Sequence, residues 1–96
     1  MTMKEAIKQV QQWQSHFGRM GHVVSNKPII VDEKTARARV DFIAEELQEY
    51  LDANRQGDIV GVLDAILDIL YFTFGMVVIH GLQEYVSNGF NIVHIK

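Results

Sequence analysis

The sequence predicts an all-α fold, a small bundle of four to five helices completed by homo-oligomerisation. Three observations lead there. The chain has one proline and seven glycines in 96 residues, too few for an all-β or disordered chain. Its apolar residues recur at three- and four-residue steps, the period of a helix with one buried face. Hydrophobic residues make up 48% of the chain, yet a chain this short covers only about two-thirds of its unfolded surface by itself. The surplus implies burial against a partner, most simply a second copy. The same length predicts a single domain over residues 1–96.

The first helix is expected over residues 2–17. Thr2 and Glu5 have the spacing of a capping box. Ile7, Val10, Gln14 and Phe17 form one stripe, with Met3, Ala6 and Trp13 beside it. Gly18 and Gly21 are its stop signals. A connector follows over 19–33, where Pro28 restricts Lys27 to extended backbone. A connector this long between two helices suits a segment that borders a site.

The second helix is expected from a cap at Asp32 to about Arg55, with Val40, Ile43, Leu47 and Tyr50 as its apolar face. The run "NRQGD" then makes a short turn. Gly57 stops one helix and Asp58 caps the next, so the second and third helices become antiparallel neighbours. The third is expected over 59–80, buried in the bundle and closed by Gly81. A weaker fourth is expected over 83–95, interrupted at Gly89.

Charge and composition exclude several functions. Nine basic residues against twelve acidic ones give a net charge of −3, and no basic run is present to track nucleic acid. The absence of cysteine removes disulfides, zinc–thiolate centres and thiol nucleophiles, and fits a cytoplasmic location. The N-terminus lacks an apolar signal core. The run 59–82 has the length of a membrane span, but Asp64 and Asp68 each oppose insertion by about 3 kcal/mol. No Glu-x-x-His occurs, which argues against a di-iron bundle. His16, His22, His80 and His94 are scattered and read as surface or core.

The acids carry the chemistry. Asp64 and Asp68 fall on one stripe of the third helix with Gly61, Tyr71 and Gly75, amid Val, Leu, Ile and Phe. A buried carboxylate without a partner is very unfavourable. Its counterpart is a basic side chain such as Arg37, Arg39 or Lys34, a shared proton, or a metal ion. On the second helix Glu45, Glu46 and Glu49 lie within one turn. If the two helices pair, five carboxylates converge, and such an oxygen-rich set suits magnesium or manganese. The physical reading is metal-assisted phosphate chemistry.

The two motifs, in this order, resemble the all-α nucleotide pyrophosphohydrolases, the superfamily of MazG-type, dimeric-dUTPase and phosphoribosyl-ATP pyrophosphohydrolase-like proteins. The residues carrying the resemblance are Glu45-Glu46-Leu47-Gln48-Glu49, the preceding Arg39, and "DILY" from Asp68 to Tyr71, continuing as "YFTFG". Two features depart from the pattern. Ala65 stands where the common second motif has glutamate, and the chain stops at "VHIK", where relatives continue into a phosphate-contacting stretch. The resemblance implies cleavage of a nucleoside triphosphate between its α and β phosphates, giving a monophosphate and pyrophosphate. It implies that Glu45, Glu49 and Asp68 bind magnesium, with Asp64 assisting, and that Glu46 handles the attacking water or shares the metal. Arg39, Lys34, Phe17 and Tyr71 become candidates for substrate contact. A dimer or tetramer is expected. The competing class is a non-catalytic helical oligomer that binds nucleotide without turnover, favoured by Ala65 and the short C-terminus.

Overall fold

The computed structural model describes residues 1–17 and 27–95, with the side chains of 14–17 outside that description. Its elements are α1 (Met3–Phe17), α2 (Glu33–Arg55), α3 (Ile59–Ile79) and α4 (Val86–Ile95). Among the described residues there is no strand. The fold is all-α. The chain forms two compact units, Met1–Val31 with Phe74–Lys96, and Asp32–Thr73.

In the first unit, α1 starts at the expected capping box. The Thr2 backbone N–H donates to Glu5 Oε1 at 3.3 Å, and the Glu5 N–H donates back to Thr2 Oγ1 at 3.1 Å. Its stripe is buried at Ile7 and Val10, and among the described residues of the unit Val78 and Ile79 at the end of α3 are the other buried apolar side chains. The expected stops at Gly18 and Gly21 lie outside the described residues.

The C-terminus of α3 is closed by hydrogen bonds from the Gly81 N–H to the Val78 carbonyl and from the Leu82 N–H to the Val77 carbonyl. Gly81 has φ +68°, and this pairing is a Schellman closure that needs a left-handed residue. Two further bonds tie the segment before α2 to the same place. The Ile29 N–H donates to the His80 carbonyl at 2.9 Å, and His80 Nδ1 donates to the Ile29 carbonyl at 2.8 Å. A Cβ on Gly81 would fall on the Lys27 carbonyl, so glycine is required there twice over. The helix α4 begins at Val86, three residues later than expected, and Gly89 sits inside it without a break. The Gly89 N–H keeps its bond to the Tyr85 carbonyl.

The second unit is a helical hairpin. Asp32 caps α2, accepting from the Thr35 N–H at 3.3 Å and the Thr35 hydroxyl at 2.6 Å. At the far end Gly57, with φ +69°, closes α2. The Asp58 N–H reaches the Ala53 carbonyl and the Gly57 N–H reaches that of Asn54, again a Schellman closure. Asp58 Oδ1 then accepts from the Gly61 N–H at 3.0 Å and caps α3. The two helices approach closely beyond this turn, since a Cβ on Gly61 would stand 3.1 Å from Ala53 Cβ. Farther along, Phe42 and Phe72 stack with centroids 5.2 Å apart and planes 9° from parallel.

Two expectations about burial need correction. Of the expected stripe, Val40, Leu47 and Tyr50 are exposed and Ile43 is half-buried, and the buried residues of α2 are Arg39 and Ala53. The face turned inward carries Arg39, Glu46 and Ala53, at seven-residue steps. The helix α3 is likewise largely open, with only 22% of its most apolar window buried. Ile59, Val60, Leu63, Ile66, Leu67 and Leu70 all remain exposed. By length and composition α3 could cross a membrane.

Candidate metal centre

The hairpin brings three of the five expected acids together. Glu46 and Glu49 from α2 and Asp68 from α3 each place a carboxylate oxygen within 4.8 Å of the others. Glu46 and Glu49 are neighbours across one helical turn, and the antiparallel return of α3 sets Asp68 opposite them. Glu46 and Asp68 are half-buried and Glu49 is exposed, so the group is open on one side.

The electrostatics of the group are those of unbalanced negative charge. Burial, above all, pushes the Glu46 carboxyl up to about 7, helped by its hydrogen bond to Glu49 and by the charges of Asp68 and Glu49. Glu46 Oε2 is buried and no hydrogen-bond donor reaches it. An orphaned carboxylate oxygen facing two other carboxylates is satisfied by a proton or by a cation. The donor set is all oxygen, which suits a hard divalent ion. These residues therefore fit a hard divalent metal ion.

Glu45 and Asp64 lie outside the group, and both side chains are exposed. Asp64 instead borders an open depression of about 290 Å³ with Asp58, Val60, Gly61, Leu63 and Leu67. Ala65 is buried, only 2% exposed.

The candidates for substrate contact are dispersed. Lys34 is exposed in the first turn of α2, and Tyr71 is exposed one turn beyond Asp68. Arg39 is 3% exposed, and burial lowers the pKa of its guanidinium. The Phe17 side chain falls outside the description. Two residues that the motifs alone did not single out frame the acids. Phe42 stands four residues before Glu46, and its stacking partner Phe72 stands four after Asp68. That mirror-image spacing on the two helices was the available signal.

A family model described as phosphoribosyl-ATP pyrophosphohydrolase matches residues 17–94, a span containing all three acids. An uncharacterized protein of Acanthamoeba polyphaga mimivirus is 32% identical over 75 residues. The match covers 77% of this chain and 30% of the viral protein, so the chain spans under a third of that relative's length. No solved structure matches at a significant level.

Proposed function

The chain belongs to the phosphoribosyl-ATP pyrophosphohydrolase family, and from that premise we propose that it hydrolyses a nucleoside triphosphate or related nucleotide between the α and β phosphates. The family supports pyrophosphohydrolase activity in general and implies a nucleotide substrate. The observation that carries the finer reading is the convergence of Glu46, Glu49 and Asp68 around an unsatisfied buried oxygen.

In this reading Glu49 and Asp68 hold magnesium or manganese, and Glu46 acts beside them. Bound there, the ion would lower the pKa of a water and offset charge on the phosphates. Glu46 keeps its proton up to about pH 7 in the metal-free chain, the range in which a carboxylate exchanges protons efficiently near neutrality. It orients the attacking water and accepts its proton. The stacked Phe42 and Phe72 stand one turn from Glu46 and Asp68 on the same two helices. Lys34, exposed at the start of α2, and Tyr71, exposed beyond Asp68, are the groups proposed to meet the nucleotide.

Homo-oligomerisation belongs to the same proposal. The open apolar faces of α2 and α3 are too extensive to leave in water, and a second copy covers them symmetrically. The length of α3 also fits a membrane span, but Asp64 and Asp68 within it weigh against insertion.

The test is substitution at the ligands. Asp68→Asn and Glu49→Gln each remove a charge while nearly preserving volume. Pyrophosphate release from a nucleotide panel should fall to background in both, with the fold retained. If instead Asp68 balances a buried cation, its loss costs about 3–5 kcal/mol and leaves turnover intact in the surviving protein. Destabilised variants with wild-type turnover would reject the metal-site reading.

A further inference from the structure

We propose that Asn88 is a self-modification site, converted to aspartate and isoaspartate by attack of the Gly89 backbone nitrogen on its side chain. The site lies in α4 and is independent of the acidic group on α2 and α3.

The sequence makes this position chemically open. Asparagine stands at 26, 54, 88 and 91, and only Asn88 is followed by glycine. To cyclise, the backbone nitrogen of the next residue must close a five-membered ring on the asparagine Cγ. A Cβ on that next residue crowds the closure, and glycine has none. Arg55 follows Asn54 and Ile92 follows Asn91, the latter branched at Cβ.

Water is the only co-reactant. The Gly89 nitrogen loses its proton and bonds to Asn88 Cγ, and the side-chain amide leaves as ammonia. Water then opens the cyclic imide at either carbonyl. One opening leaves aspartate in the ordinary main chain. The other leaves isoaspartate, with the main chain running through the side-chain methylene. Either product adds one negative charge to a chain of net charge −3.

An intact helix opposes the attack. The Gly89 N–H is donated to the Tyr85 carbonyl at 2.9 Å, and helical torsions hold the nitrogen away from Cγ. That bond is the first of α4, which begins at Val86. Tyr85 holds the cap position and is not one of the short polar residues that secure a helix start. The helix has 10 residues and none is buried, and without tertiary packing a helix shorter than about 12–15 residues is marginal in water. Asn88 and Gly89 are both exposed, and nothing lies within 4 Å of where a Gly89 Cβ would stand. Opening the first turn is therefore a fraying event of small cost, and Asn88 reaches the cyclising geometry without global unfolding.

The experiment incubates the full chain at pH 8 and follows each asparagine by peptide mass mapping, beside the same chain unfolded in concentrated urea. Asn88 should show the amide-to-acid mass gain at a rate within tenfold of the unfolded chain, the protection given by a local opening of about 1.4 kcal/mol. It should outpace Asn91 in the same helix by more than tenfold. Gly89→Ala, which adds a carbon into open space, should slow Asn88 more than tenfold. Protection beyond tenfold would mean that α4 is held closed and would overturn the proposal. A lead over Asn91 of less than tenfold, or a Gly89→Ala rate slowed less than tenfold, would overturn it too, leaving direct hydrolysis in place of cyclisation.

Discussion

Replacing Glu46 with glutamine probes the centre of the site through stability alone. The Glu46 carboxyl is raised from its ordinary 4.5 to about 7, chiefly by burial. A folded-state pKa above the unfolded one means that the folded chain holds the proton more tightly. Stability is then highest below pH 4.5, where both states are protonated. It falls as pH rises from 4.5 to about 7, because the unfolded state ionises first. Above 7 the loss is complete and constant. If fully expressed, the difference between 4.5 and about 7 corresponds to about 3 kcal/mol. Glu46 is only half-buried, and solvent screening reduces this to about 1–2 kcal/mol.

Glu46→Gln has no charge to penalise. In chelator at pH 8 it should therefore be more stable than wild type by about 1–2 kcal/mol, a Tm rise on the order of 5–10 °C for a chain of this size. At pH 4.5 most of that gap should close. With excess magnesium the wild type should gain more than the variant, because stabilisation by a ligand that binds only the folded state grows with the logarithm of its affinity. Denaturant melts at the two pH values, with chelator and with magnesium, read all four quantities. A variant less stable than wild type at pH 8 in chelator would refute the reasoning. It would mean that Glu46 is held by a cation of the protein and is not crowded by its fellow acids.

Sedimentation at micromolar concentration should show at least a dimer, given the exposed Leu63, Leu67 and Leu70 of α3; a stable folded monomer would rule this out. Gly81→Ala should destabilise by more than about 1 kcal/mol in urea melts, because φ is +68° and the added carbon meets the Lys27 carbonyl. Gly89→Ala, with nothing within 4 Å in the interior of α4, should instead stabilise by about 0.5–1 kcal/mol. Arg39→Met should leave KM unchanged in the protein that folds, since Arg39 is buried. A raised KM at unchanged stability would return it to the phosphate site.

The fold was legible where local chemistry decides it. Thr2, Asp32, Gly57, Asp58 and Gly81 mark helix ends through hydrogen bonds to residues three to five positions away, and such signals survive in sequence. The start of α4 was not legible. The Gly81 closure is followed by a turn in which the Tyr85 N–H bonds to the Leu82 carbonyl, and the residues there carry no strong cap. The inward face of α2 was also misread. A search for the most apolar stripe selects Val40, Ile43, Leu47 and Tyr50, but within a single chain all of these except Ile43 are exposed. Apolarity marks what is to be covered and does not say by which chain.

The same ambiguity explains why the acids read as five and assemble as three. On the inward face of α2 the helix presents Arg39, Glu46 and Ala53, polar groups and one small residue where a hydrophobic core is usual. Ala53 and Gly61 let the helices approach, and that closeness brings Glu46 and Glu49 within reach of Asp68. Asp64 and Glu45, each one turn from a member of the cluster on its own helix, are exposed and stay outside it. A hairpin built this way directs its charge inward and leaves its apolar surface outside. The proposed metal binding and subunit association would therefore act on the same two helices. Each would stabilise the folded pair by mass action, and each would relieve a different liability, crowded carboxylates in one case and exposed leucines in the other.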